Sequence, residues 1–206
     1  MTMNKEKRAY LCDVQTRTDE THGNVIEGIP IVYDAETDIG GMWKEIVDRG
    51  ALDQADLKDV RFLVNHDVDS IPLARSRNNN ENSTMQMTVE PDGLHIRVDL
   101  DTEGNPRAKE LYSAVKRQDI SGMSFMFSVK ADSWEDLDSD YPTRHITALD
   151  KVFEVSAVTF PAYEQTSINA RSVETGQASL DSAREALENA RKVEELRKQI
   201  LERCKK

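Results

Sequence analysis

No run of about 18 apolar residues occurs in this 206-residue sequence, so no segment is read as a bilayer-spanning helix and no membrane partner is expected. Met1 to Arg8 is charged and no apolar stretch follows it, so no secretory signal is expected either. Cysteine is scarce. Cys12 and Cys204 lie at opposite ends of the chain, which excludes a disulfide framework and suits a reducing cytoplasm. Cys12 reads as a half-buried strand residue rather than a nucleophile. Basic charge is also short, with 27 Lys and Arg against 38 Asp and Glu, a net charge of −11. Nucleic-acid affinity comes from Lys and Arg neutralising phosphates, so a nucleic-acid partner is not expected.

Several chemical signatures are missing. There is no Gly-x-Ser-x-Gly elbow, no P-loop and no dinucleotide fingerprint. Among the four histidines, His22, His66, His95 and His145, no pair has His-Glu-x-x-His spacing, and no cysteine cluster assists them. Neither a metal site nor a cofactor is expected.

What is present is enough for a core. Hydrophobic residues make up 38% and charged residues 32%, which suits one compact domain with a charged surface and an appendage. Residues 1–170 read as short strands punctuated by turns, a β-rich mixed α+β domain whose strands are expected to close a mostly antiparallel or mixed barrel. Strands are expected over Asn24–Tyr33, Val60–His66, Gly122–Val129 and Val152–Phe160. A hairpin is expected where Met85, Met87 and Val89 alternate with polar residues, Glu90-Pro91-Asp92-Gly93 turns the chain, and Leu94, Ile96, Val98 and Leu100 resume the alternation. Pro106–Arg117 is the best internal helix, with Ala108, Leu111 and Val115 as its apolar stripe. From Ser172 the composition turns to Ala, Glu, Lys, Arg and Leu. Leu180, Ala183, Leu187, Ala190, Val193, Leu196 and Ile200 recur at steps of three or four. Residues 171–206 therefore read as a long amphipathic helix, with coiled-coil spacing, outside the domain.

Three residues could carry chemistry. His66 is expected to end an apolar strand on the face of Phe62 and Val64, where partial desolvation and an orienting neighbour would make a general base; pattern alone favours a hydrogen-bonded core histidine. Ser124 follows Gly122 in a strand whose other face is solidly apolar. It reads as a nucleophile or, more simply on pattern, as an outward-facing strand serine, with Ser121 as the competing hydroxyl. Glu154 interrupts Val152-Phe153-Glu154-Val155, too apolar a stretch for an unpaired carboxylate, so it must find an Arg, a Lys or a histidine.

Three segments then occur in order: Arg61-Phe62-Leu63-Val64-Asn65-His66-Asp67, Ile120-Ser121-Gly122-Met123-Ser124-Phe125-Met126-Phe127, and Phe153-Glu154-Val155-Ser156-Ala157-Val158-Thr159-Phe160-Pro161-Ala162. Together with Ile46 and Arg49-Gly50-Ala51-Leu52 they resemble the prohead (capsid maturation) protease family of tailed phages, which is distantly similar to the herpesvirus assemblin proteases. The resemblance implies an assemblin-like β-barrel flanked by helices and a serine endopeptidase with His66 as base and Ser124 as nucleophile. Glu154 takes the third position by its place in the sequence. Assemblins use a second histidine there, a role for which His145 or His95 would be the candidates. One departure is visible: the family usually has glycine two residues after the serine, where this chain has Met126.

The substrates so implied are the major capsid protein and scaffold segments, cut inside the assembling procapsid in the host bacterial cytoplasm, and the protease itself. The helical tail suits a homo-oligomer or an assembly role. The competing reading is a catalytically inactive scaffold or assembly factor built on a protease-like domain.

Overall fold

The computed structural model describes residues 5–11, 14–19, 23–160 and 170–204. Among the described residues, eleven strands form two sheets. The seven-stranded sheet runs in the order β1 (Glu6–Leu11), β10 (Gly122–Glu135), β11 (Thr143–Val158), β5 (Trp43–Val47) and β4 (Thr37–Ile39), with β6 (Asp59–Val64) also on β11 and β7 (Ala74–Arg77) beyond β6. The four-stranded sheet is β2 (Gln15–Asp19), β3 (Gly23–Val32), β9 (Gly93–Leu100) and β8 (Met85–Glu90).

The spine of the first sheet is the β10–β11 hairpin. At 16 residues β11 is about 50 Å long, enough for two short strands to share one edge. Both run parallel to it: β5 beside Thr143–Ile146 and β6 beside Glu154–Ala157. The remaining pairs in both sheets are antiparallel.

The expected mixture of strand directions is present, but the expected closed barrel is not. The sheet stays open, with β1 at one edge and β4 and β7 at the other. Its apolar face is covered instead by the second sheet: Ile26, Ile31, Met85, Leu94 and Val98 share one core cluster with Phe62, Phe125, Phe127, Val152 and Val155.

Local signals place the other elements. At the β8–β9 turn Gly93 has φ 152, and a Cβ there would lie 2.0 Å from the Ile31 carbonyl oxygen, so only glycine lets β3 approach. Helix α1 (Pro106–Lys116) starts where Asn105 accepts a hydrogen bond from the Arg107 N–H at 3.0 Å. Pro106 follows at a position with no N–H to satisfy, and Ala108, Leu111 and Val115 enter the core.

The second helix, α2 (Ala170–Cys204), departs from expectation, because it is held against the domain as far as Arg191. Leu180 is buried, the Trp134 indole donates to Ser179 Oγ at 3.0 Å, Ser179 donates to Asp132 at 2.8 Å, and Arg191 pairs with Asp138 at 2.6 Å. Farther along, Val193, Leu196, Ile200 and Leu201 are exposed. The close approach is made at Gly176, where an added Cβ would stand 2.4 Å from the Trp43 ring. In an ordinary helix Gly→Ala adds about 1 kcal/mol of stability. Gly176→Ala should instead lower the thermal midpoint and red-shift tryptophan emission, because the buried Trp43 must move.

A buried ionic network ties β1 to the sheet. Glu6, Arg8, Glu45 and Arg144 are each at most 4% exposed. Arg8 pairs with Glu6 and with Glu45, both at 2.7 Å, and Arg144 pairs with Glu6 at 2.9 Å, Glu45 at 3.0 Å and Asp132 at 2.7 Å. Burial alone would push the Glu45 carboxyl up. The guanidiniums of Arg8 and Arg144 overcome that and hold it below its ordinary value of 4.5. A carboxylate depressed in this way stabilises the fold fully above its unfolded value and stops doing so as pH falls through the folded value. The thermal midpoint should therefore fall on acidification below about 4.5. Arg144→Met, which leaves Glu6 and Glu45 short of a partner, should cost about 3–5 kcal/mol in denaturant unfolding at neutral pH.

Candidate active site

The site begins where β6 ends. Asn65 and His66 both lie in the left-handed region, with φ 51 and 57. Each such residue costs about 1–2 kcal/mol, least for Asn, so neighbours must hold the turn. Asn65 N–H continues the ladder to the Ala157 carbonyl at 2.9 Å. Its side-chain amide donates to Thr159 Oγ1 at 3.1 Å and accepts from Thr159 N–H at 2.9 Å. His66 N–H donates to Ser156 Oγ at 3.1 Å.

This turn corrects the expected placement of His66. The strand stops at Val64, and two left-handed residues break the alternation that would have set His66 beside Phe62. Phe62 points into the core, whereas His66 reaches the opposite face of the sheet, where Glu154 stands between the core residues Val152 and Val155. The imidazole Nδ1 lies 2.6 Å from Glu154 Oε1, and the other carboxylate oxygen accepts from Ser156 Oγ at 2.5 Å. Glu154 is 2% exposed. Arg61, its register neighbour on β6, turns to Asp59 instead. A neutral imidazole that donates from Nδ1 to this carboxylate has Nε2 as its acceptor.

Ser124 belongs to the same face. Met123, Phe125 and Phe127 of β10 enter the core; Ser124, Met126 and Ser128 alternate with them and are also buried. Ser124 is the cross-strand partner of Ser156, which puts their Cβ atoms about 5 Å apart. Ser124, Ser156, Glu154 and the His66 turn thus share one face of three adjacent strands, β10, β11 and β6. The Ser124 hydroxyl donates to the Arg8 carbonyl of β1 at 2.6 Å, and the expected His66–Ser124 hydrogen bond is not formed among the described residues. For the proton to pass to His66, the hydroxyl must rotate away from β1. Ser121 is exposed and precedes the strand. Met126 is 7% exposed and pairs in register with Glu154.

The alternative histidines lie elsewhere. His145 binds Asp48 at 2.7 Å, and its nine-residue separation from Glu154 along β11 amounts to about 30 Å. His95 sits on the second sheet, held to Asp92 at 2.8 Å. There Glu90, Asp92 and His95 bring ligand atoms within 4.8 Å of one another, an arrangement the Asp92–His95 bond already accounts for. His22 and Cys12 fall outside the described residues. Ser156 is the member of this cluster that sequence reasoning missed; its signal was the second polar residue, two positions after Glu154, in an otherwise apolar strand.

The family model of the caudovirus prohead serine protease matches residues 12–179. The chain belongs to that family. The matched span contains all four clustered residues, starts just after β1 and ends inside α2. Among solved structures, the capsid assembly protease gp21 of bacteriophage T4 is similar to this chain at 14% identity and a TM-score of 0.40, over 74% of this chain and 98% of that one. The comparison with curated proteins finds no match.

Proposed function

We propose that this family member is an active serine endopeptidase that cleaves capsid and scaffold proteins, and itself, inside the assembling procapsid. The observation that carries the reading is the His66–Glu154 hydrogen bond on the sheet face that also bears Ser124. Glu154 holds the imidazole with Nδ1–H inward, so that Nε2 accepts the Ser124 proton as Oγ attacks the scissile carbonyl. The imidazolium, stabilised by the buried carboxylate, then protonates the leaving amine. Water, deprotonated by the same nitrogen, hydrolyses the acyl-Ser124 ester and returns the proton to serine. Apart from the substrate and water, each step uses only groups on this face.

The second reading, an inactive assembly factor, is favoured by one observation: Ser124 is 1% exposed with its proton given to the Arg8 carbonyl. Incubating the purified chain with the major capsid protein of the same phage separates the two. Cleavage by the unmodified protein and none by Ser124→Ala supports the protease. Identical, uncleaved capsid protein in both, with capsid assembly promoted, supports the assembly factor. In either reading the exposed apolar end of α2 is the surface through which further copies of the chain would associate.

A further inference from the structure

We propose that Ser156 is a positioning residue for His66, acting on it from two sides at once; this rests on the reading of Ser124, His66 and Glu154 just given. Ser156 is fully buried. Its oxygen accepts the main-chain N–H of His66 at 3.1 Å, and its proton goes to Glu154 Oε2 at 2.5 Å. Glu154 Oε1 in turn meets His66 Nδ1 at 2.6 Å.

These bonds close a ring that begins at the backbone of His66 and ends at its imidazole. A side chain anchored only by Glu154 would still be free to swing with its own turn, and that turn, two left-handed residues in succession, is the part of the site that local conformational preference least supports. Ser156 ties the turn and the carboxylate to one hydroxyl on a central strand, so the imidazole is fixed relative to β11, and through the Ser124–Ser156 pairing relative to the nucleophile.

Proton bookkeeping separates this role from that of a nucleophile. Ser156 has one proton and gives it to Glu154, whereas the free imidazole nitrogen, Nε2, faces away from that carboxylate. The Ser124 hydroxyl on the same face gives its proton to the neutral Arg8 carbonyl, a weaker hold than a carboxylate, and can turn from it to Nε2.

The test uses the full chain and a fluorophosphonate probe, which labels a nucleophilic serine without any need to know the natural substrate; peptide mapping locates the label. In the unmodified protein the label is expected on Ser124. Ser156→Ala should label the same residue about 10- to 100-fold more slowly, the scale of a small misplacement of a catalytic group. Ser156→Thr, which restores a hydroxyl, should recover much of the rate.

The readout that a merely space-filling role would not move is the coupling. In a Glu154→Gln background, Ser156→Ala should slow labelling by less than about 3-fold more, because the ring proton then sits on Nε2 and holding the imidazole in place gains little. Should Ser156→Ala fail to fold, Ser156→Cys keeps the size with a poor donor and reads the same coupling. Unchanged labelling of Ser156→Ala, full additivity with Glu154→Gln, or a label on Ser156 itself would each overturn the proposal. Failure of the underlying reading looks different: Ser124→Ala or Glu154→Gln would then label at the unmodified rate whatever stands at position 156.

Discussion

Ser124→Ala should abolish capsid-protein cleavage and fluorophosphonate labelling, a loss of about 10⁴-fold or more, the scale seen when a serine protease loses its nucleophile. The fold should hardly notice. The substitution removes one hydroxyl and its bond to the Arg8 carbonyl, worth about 1 kcal/mol, and alanine suits the same buried strand position. A thermal midpoint within a few degrees of the unmodified protein, together with complete loss of cleavage, is the expected result. Ser121→Ala serves as the control, because an exposed residue outside β10 should change neither quantity. Undiminished cleavage by Ser124→Ala would move the nucleophile elsewhere and with it the whole reading of this face.

Glu154→Gln should keep the protein folded yet depress turnover by about 10²–10⁴-fold. The amide is almost the shape of the carboxylate and can still accept from Ser156 through its oxygen. Its NH₂ group then faces His66 Nδ1, which must become an acceptor. The ring proton moves to Nε2, the nitrogen that should receive the proton of Ser124, and the negative charge that would support an imidazolium is gone. A structural ion pair would behave otherwise, losing stability and keeping activity. Measuring peptide cleavage and thermal midpoint on this one variant distinguishes the two, and retained turnover with a lowered midpoint would remove Glu154 from the chemistry. His66 and Ser156 occupy both of its oxygens, which is why the loss is expected in turnover.

Residues whose role depends on near neighbours were legible in the sequence. The alternation across β9, Pro106 at the start of α1, and the apolar stripe of Ala108, Leu111 and Val115 are local patterns that the structure bears out; on β8 Met85 and Met87 are buried as expected, whereas Val89 is exposed. Family membership was legible too, because an ordered set of three short segments survives where no single motif is specific. Glu154 stood out by its chemistry alone, as a carboxylate in an apolar strand that must have a partner.

The identity of that partner was a tertiary matter. It depended on β6 running parallel to β11 in a register that brings Asn65 beside Ala157, and on a turn in which two residues adopt positive φ. Strand periodicity assumes β geometry throughout, so it put His66 on the face of Phe62, and it had no means of choosing Ser156 as the third participant. The open sheet in place of a barrel has the same origin, since closure depends on which edges meet and every strand looks alike whether its sheet closes or is covered. The network of Glu6, Arg8, Glu45, Asp132 and Arg144 joins residues far apart in the chain, and Gly176 reads as a weak point in a helix until Trp43 is seen against it. Backbone preference and burial pattern are written residue by residue, whereas ion pairs, register and close approach belong to pairs of distant residues, and only the folded chain brings those pairs together.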